Sequence, residues 1–195
     1  MELEPSEAAR RDPVLQGEAG TRLVYTLIWG LGIGAVFIFY RGDWPGRVLL
    51  LALTAAGVLV NLSKLLGVHR LELMAGRALP VTRMWMTTWS ESRVVSAGGT
   101  IGPAIIPAGK PGADTWAALW DRATEAKPVL CVQLLSGHSN IHTIDPEPVD
   151  VLGTARPRGR ILIRRSDGEM LWPAGRAKRP SRARTAAASN QGQRG

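Results

Sequence analysis

The chain has 195 residues, 45% of them hydrophobic, and a formal net charge of +8. This length accommodates two membrane helices and one small domain, and it excludes two large domains. The charge is uneven, because residues 1–68 are neutral, residues 69–150 carry −1 and residues 151–195 carry +9. The single cysteine, Cys131, excludes an intramolecular disulfide, and its apolar neighbours predict a buried strand thiol.

Residues 1–21 are polar and interrupted by prolines, which is typical of a mobile cytoplasmic arm. Two apolar stretches follow, Leu23–Tyr40 and Val48–Leu62, joined by the loop Arg41–Arg47. The first has no formal charge, and as a helix it measures about 27 Å, close to the hydrocarbon thickness of a bilayer. The sequence therefore predicts a transmembrane helical hairpin over residues 22–68.

Two other interpretations of the apolar stretches are less compatible with the sequence. A secretory signal peptide requires a small-residue cleavage site, and none follows Tyr40. A pair of core helices in a soluble protein requires a polar face, which neither stretch shows.

The flanks of the two stretches are richer in basic residues than the loop between them, which has only Arg41 and Arg47. This imbalance predicts a multi-pass protein of the cell (plasma) membrane with both termini in the cytoplasm. The basic residues of the flanks are Arg10, Arg11, Arg22, Lys64, Arg70, Arg77 and Arg83.

Small residues in the two stretches predict close helix packing. Gly30 and Gly34 form a G-x-x-x-G pattern, and Ala52, Ala55 and Ala56 offer a matching surface. The contact lies either within the hairpin or between two copies of the chain. Thr54 is expected to bond the backbone of its own helix.

Residues 69–173 predict a small α+β domain with an antiparallel meander, arranged as a sheet or partial barrel with one helix. The predicted strands are Val81–Trp89, Pro128–Leu135, Val149–Gly153, Arg160–Arg165 and Met170–Trp172. The predicted helix is Asp114–Ala126, which Asp114 would cap and whose face would carry Trp116, Leu119, Trp120 and Ala123.

Residues 174–195 predict a disordered basic tail, since large apolar and acidic residues are missing after Pro173. Its basic cluster suits anionic lipid headgroups or nucleic acid, or it meets only solvent. The absence of aromatic residues in the tail disfavours nucleic acid. The cluster consists of Arg176, Lys178, Arg179, Arg182 and Arg184.

Weak candidates for a metal site are His138, His142 and Asp145, which share one short segment. A Ser136–His142–Asp150 triad lacks the strained turn that presents a nucleophile. The sequence predicts no cofactor, and the segment Gly109-Lys110-Pro111 fails the pattern of a phosphate-binding loop.

These patterns favour a non-enzymatic integral membrane protein, a scaffold or interaction module that displays a small cytoplasmic domain to a membrane or cytoplasmic protein or to a second copy. A membrane-tethered nucleic-acid-binding protein is the first alternative, and a metal-dependent hydrolase is the second.

Overall fold

The computed structural model describes residues 9, 11–95, 101–106, 114–123, 125, 127–138, 141, 143 and 145–181, with only the backbone at 92–95 and 101–106. The chain divides into two compact units, Met1–Arg77 and Ala78–Gly195.

The first unit contains two long helices, α1 (Pro13–Phe39) and α2 (Trp44–Ala75). The Asp12 carboxylate caps α1 by accepting the amides of Val14 and Leu15, and Asp43 caps α2 in the same way. The prediction of two apolar helices is confirmed. The predicted mobile arm, residues 1–21, is wrong from Pro13 onward, because a capped proline at the first helical position starts α1 there.

The less exposed residues of each helix recur at spacings of three and four, the pattern of a coiled-coil seam. In α1 they include Arg22, Thr26, Ile33 and Val36; in α2 they include Leu51, Thr54, Val58, Asn61, Leu65 and Val68. Thr54 donates its hydroxyl to the carbonyl of Leu50 at 2.9 Å, which confirms the predicted bond within its own helix.

Away from this seam, the two helices expose their large apolar side chains. The most apolar 18-residue windows of α1 and α2 have mean hydropathies of 1.8 and 2.0, and they are 0% and 6% buried. Both helices are therefore long and apolar enough to cross a bilayer.

The second unit is an antiparallel sheet built around the long strand β1 (Val81–Val95). The other strands are β2 (Ile101–Ile106), β3 (Asp114–Trp120), β4 (Leu130–Gln133), β5 (Glu147–Gly153), β6 (Ile161–Arg165) and β7 (Met170–Leu171). In the order of the sheet the strands run β4-β3-β1-β5-β6-β7, and β2 pairs with the last residues of β1. The predicted strands are confirmed, including the β5–β6–β7 meander.

The predicted helix Asp114–Ala126 is wrong, because Asp114–Trp120 is strand β3. Trp116 and Trp120 lie opposite Trp89 and Trp85 of β1. A spacing of four places two residues on one face of either a helix or a strand, so the tryptophans fitted both patterns. The described part of the domain has a single 3₁₀ turn and no α-helix, so it is antiparallel β rather than α+β.

The two faces of the sheet bury different side chains. Aliphatic residues fill one face, with Met86, Leu119, Leu130, Val151 and Ile163 at its centre. The other face carries a cluster of Trp89, Trp116, Trp120, Ala118 and Cys131, all of them buried. The prediction of a buried Cys131 thiol is confirmed.

Residues 173–179, here called the closing segment, run along the free edge of β4. Cys131 and Lys178 exchange two backbone hydrogen bonds of 2.9 and 2.8 Å, and Leu134 forms a bridge with Pro173. Because β7 precedes this segment directly and pairs with β6, the segment joins the two edges of the sheet into a partial barrel. The predicted disordered tail is therefore wrong for residues 174–181, whereas residues 182–195 lie outside the described residues.

Candidate anion-binding surface

The connection between β5 and β6, residues 154–160, is here called the basic loop. It turns at Arg156–Gly159, where the amide of Gly159 donates to the carbonyl of Arg156 at 2.8 Å. A Cβ at position 159 would overlap the Thr154 carbonyl oxygen, so the turn requires glycine there. Arg158 adopts φ 65°, the left-handed conformation that non-glycine residues rarely adopt.

The basic loop lies beside the closing segment. The amide of Arg158 donates to the carbonyl of Ala177 at 2.7 Å, and the amide of Ala177 donates to the carbonyl of Gly159 at 3.0 Å. Ala177 is fully buried between these contacts. Two separate stretches of sequence, each carrying three basic residues, are thereby held side by side.

These six residues form what is here called the basic surface, and all are exposed. Within the described residues, none of the six side chains forms an ion pair. The basic surface consists of Arg156, Arg158, Arg160, Arg176, Lys178 and Arg179.

Arginines at the opposite end of the β5–β6 hairpin are neutralised by carboxylates. Arg165 donates to Glu147 at 2.9 Å and to Glu169 at 2.7 Å, and Arg164 pairs with Asp150 at 2.9 Å. The hydrogen bonds that Arg165 donates to the carboxylates of Glu147 and Glu169 raise the pKa of Arg165. The hairpin therefore separates charge along its length, with compensated pairs at one end and uncompensated arginines at the other.

Lys178 differs from its arginine neighbours because it also contacts an aromatic ring. Its ammonium nitrogen lies 5.5 Å from the centroid of the Trp116 ring, within the range of a cation–π interaction. Its backbone is paired with Cys131. Lys178 thus anchors the closing segment and adds charge to the basic surface. The predicted Arg182 and Arg184 lie outside the described residues.

Among the weak metal candidates, His138 makes a structural contact in the β domain. His138 is buried, and its Nε2 atom accepts the amide of Trp172 at 3.0 Å, so this nitrogen is occupied. Asp145 is exposed, and His142 lies outside the described residues. Within the part of the chain that the structure describes, no three His, Cys, Asp or Glu residues form a metal-binding group.

The structure describes two members of the candidate Ser136–His142–Asp150 triad. Asp150 accepts a hydrogen bond from Arg164 at 2.9 Å. Ser136 is exposed in the 3₁₀ turn, and His142 lies outside the described residues. Of the two described members, Asp150 is therefore engaged in an ion pair with Arg164.

The predicted small-residue contact within the hairpin uses other glycines. A Cβ at Gly30 or Gly34 would meet nothing within 4 Å, whereas one at Gly32 would lie 3.2 Å from Cγ2 of Thr54. Ala52 and Ala56 are exposed. The assignment of Gly30 and Gly34 to the contact within the hairpin is wrong, because the rotation of α1 turns Gly32 towards α2 instead. Their contact with a second copy stays a prediction.

The turn of the basic loop was predicted from the sequence, but Arg156, Arg158 and Arg160 were not predicted as candidate anion-binding residues. The signal was present as arginine at every second position, Arg156, Arg158 and Arg160, in the part of the chain with net charge +9. Comparison with protein-family models, curated proteins and solved structures finds no match for this chain.

Proposed function

We propose that the protein is an integral membrane protein of the plasma membrane that displays its β domain in the cytoplasm as a non-enzymatic interaction module. The exposed apolar surface of α1 and α2 carries this proposal. Leu31, Ile38 and Phe39 expose 74%, 70% and 77% of their surfaces, and water would solvate such a continuous apolar area poorly. A bilayer satisfies it, and both helices satisfy their backbone groups internally.

The distribution of basic residues supports the orientation. Lys64, Arg70 and Arg77 follow the apolar part of α2, whereas the loop between the helices has Arg41 and Arg47. Positive residues are retained on the cytoplasmic side during insertion. The β domain follows Arg77 and would share that side.

The role as an interaction module is supported by how the domain uses its polar groups. His138 and Asp150, the candidate groups for chemistry, make structural contacts with Trp172 and Arg164. The basic surface, in contrast, offers six exposed cations without an ion pair in the described residues. Such a surface favours binding of an anionic partner.

Membrane fractionation tests the anchoring. The full-length protein should stay in the pellet after washing with alkaline carbonate and move to the supernatant with non-ionic detergent. Release by carbonate alone would overturn the proposal, since that wash removes proteins held only by charge.

Cysteine labelling tests the orientation. Cys131 is fully buried, so an introduced cysteine can be labelled selectively. In intact cells a membrane-impermeant maleimide should react with an Arg41→Cys variant in the inter-helix loop and leave a Ser166→Cys variant in the β domain unlabelled. Permeabilised cells provide the control for reactivity, and the reversed pattern would contradict the orientation.

A membrane-tethered nucleic-acid-binding protein is the second candidate, favoured by the same six cations. Its signature would be affinity for DNA or RNA that falls steeply with salt concentration, because phosphate contacts release counterions. Absence of binding at low salt would eliminate this candidate.

A further inference from the structure

We propose that the basic surface binds the anionic phospholipid headgroups of the bilayer that holds α1 and α2. The inference rests on the proposed membrane anchoring, and it adds a ligand and the residues that bind it. Three of these residues, Arg156, Arg158 and Arg160, belong to a loop that lies outside the predicted basic tail.

Charge is separated along the β5–β6 hairpin. Within the described residues, the acidic partners of this hairpin all lie at the far end, where Glu147, Asp150, Asp167 and Glu169 pair with Arg164 and Arg165. The three arginines of the basic loop are exposed and form no ion pair among those residues. A surface of this kind attracts an anionic layer rather than a single carboxylate.

Hydrogen bonds hold the backbone beneath the charges in place. Arg158 and Gly159 bond the closing segment through the 2.7 and 3.0 Å hydrogen bonds with Ala177. Lys178 is fixed by two further bonds with Cys131. Less of the backbone then has to be ordered on binding, which lowers the entropic cost.

The side chains of the basic surface have the chemistry that phosphate groups require. Five of the six cations are arginines, and a planar guanidinium donates two parallel hydrogen bonds to a phosphate group. Arg158, the middle arginine of the basic loop, holds the rare φ of 65°. A glycine would adopt that conformation without strain, so an arginine occupies this position at a conformational cost.

The membrane is favoured over nucleic acid for two reasons. Residues 76–80 connect α2 to β1 and span at most about 20 Å, so tethering keeps headgroups at high local concentration. In the described residues of the β domain no aromatic side chain is exposed, since Trp89, Trp116, Trp120 and Trp172 are buried and Trp85 is partly so. Stacking of unpaired bases requires exposed rings.

The test uses the full-length protein in lipid nanodiscs, either of neutral phosphatidylcholine or with about one third phosphatidylserine. A fluorophore is placed on a Thr154→Cys variant at the basic loop, or on a Ser166→Cys variant at the opposite end of the hairpin; both positions are exposed. Lipids with a quencher in the headgroup report contact between each probe and the membrane.

We expect quenching of the probe at position 154 in anionic discs, with little quenching in neutral discs and little at position 166. The R156Q/R158Q/R160Q variant should lower the ratio of quenched to unquenched domains at least tenfold, given the contribution of each basic residue near an anionic surface. The R83Q/R122Q/K127Q variant removes the same charge from exposed positions outside the basic surface and should retain quenching.

The outcomes separate the two proposals. Failure of the protein to co-elute with discs would overturn the membrane anchoring itself. Co-elution with equal quenching in neutral and anionic discs, or equal loss in both triple variants, would overturn lipid binding by this surface. Binding of a 20-base-pair DNA duplex or an RNA oligonucleotide that displaces the domain from anionic discs, and is lost in R156Q/R158Q/R160Q, would assign the surface to nucleic acid instead.

Discussion

The indole ring of Trp29 in α1 lies directly over Gly57 in α2, so closely that a Cβ at position 57 would overlap the ring. One turn farther along the contact, a Cβ at Gly32 would lie 3.2 Å from Cγ2 of Thr54. These two glycines let the helices approach, and a large aromatic ring fills the space that Gly57 leaves. Trp29 therefore packs against α2 with one part of its ring system, while 39% of its surface stays exposed.

Replacing Gly57 with alanine should destabilise the hairpin by about 1–3 kcal/mol, because the ring of Trp29 must shift. The measurement is unfolding of the detergent-solubilised protein by increasing fractions of sodium dodecyl sulfate. Gly30→Ala and Gly34→Ala are matched controls, since a Cβ there meets nothing within 4 Å. Both controls should be neutral or stabilising, and equal effects at positions 30 and 57 would contradict the assigned contact.

Truncation should separate the closing segment from the residues that follow it. Removing residues 174–195 deletes the buried Ala177 and the paired Lys178, so the thermal midpoint of the β domain should fall sharply. Removing residues 182–195 leaves those contacts in place and should change the midpoint little. Tryptophan fluorescence monitors the thermal unfolding of both truncated proteins. Near-equal midpoints would show that the closing segment does not close the sheet.

The left-handed conformation of Arg158 predicts an unusual result for a substitution by glycine. Arg158→Gly should be neutral or stabilise the domain by up to about 1 kcal/mol, because glycine adopts φ 65° without strain. Arg160→Gly removes the same charge outside the left-handed region and should destabilise by about 0.5–1 kcal/mol. Chemical denaturation measures the change in the free energy of unfolding for each variant. Equal changes for the two variants would show that the backbone at position 158 is unstrained.

The ion pairs of the β5–β6 hairpin depend on the shape of the arginine side chain. Arg165 contacts both carboxylate oxygens of Glu147, at 2.9 and 3.1 Å. Arg165→Lys should therefore cost about 1 kcal/mol, since an ammonium group cannot reproduce the two parallel bonds. Arg164→Lys should cost less, because Arg164 makes a single bond to Asp150. Thermal melting at low and high salt compares the two variants.

The role of His138 can be tested against its rival role as a metal ligand. His138→Ala leaves the amide of Trp172 without its acceptor in a buried setting and should destabilise the domain by about 2–3 kcal/mol. Removal of metals from the wild-type protein with a chelator should leave the thermal midpoint unchanged. A midpoint that falls with the chelator and recovers with zinc would instead support the metal site.

Local sequence patterns were sufficient to predict most of the helices and strands. Uninterrupted apolar runs predicted α1 and α2, and alternating β-branched residues between turns predicted the β5–β6–β7 meander. Strand β2 was not among the predicted strands, and β3 was predicted as a helix. Trp116 and Trp120 suit a helix and a strand equally, and only pairing with β1 decides between them.

The sequence by itself determined where the apolar and basic residues lie along the chain, because composition is a local property. Tertiary structure decided which of them meet. It placed Gly32 and Gly57, rather than Gly30 and Gly34, at the helix contact. It also joined the basic loop to Ala177, which lies in the segment predicted as a disordered tail. Such contacts depend on helix rotation and on the unsatisfied edge of β4, which only the assembled backbone defines.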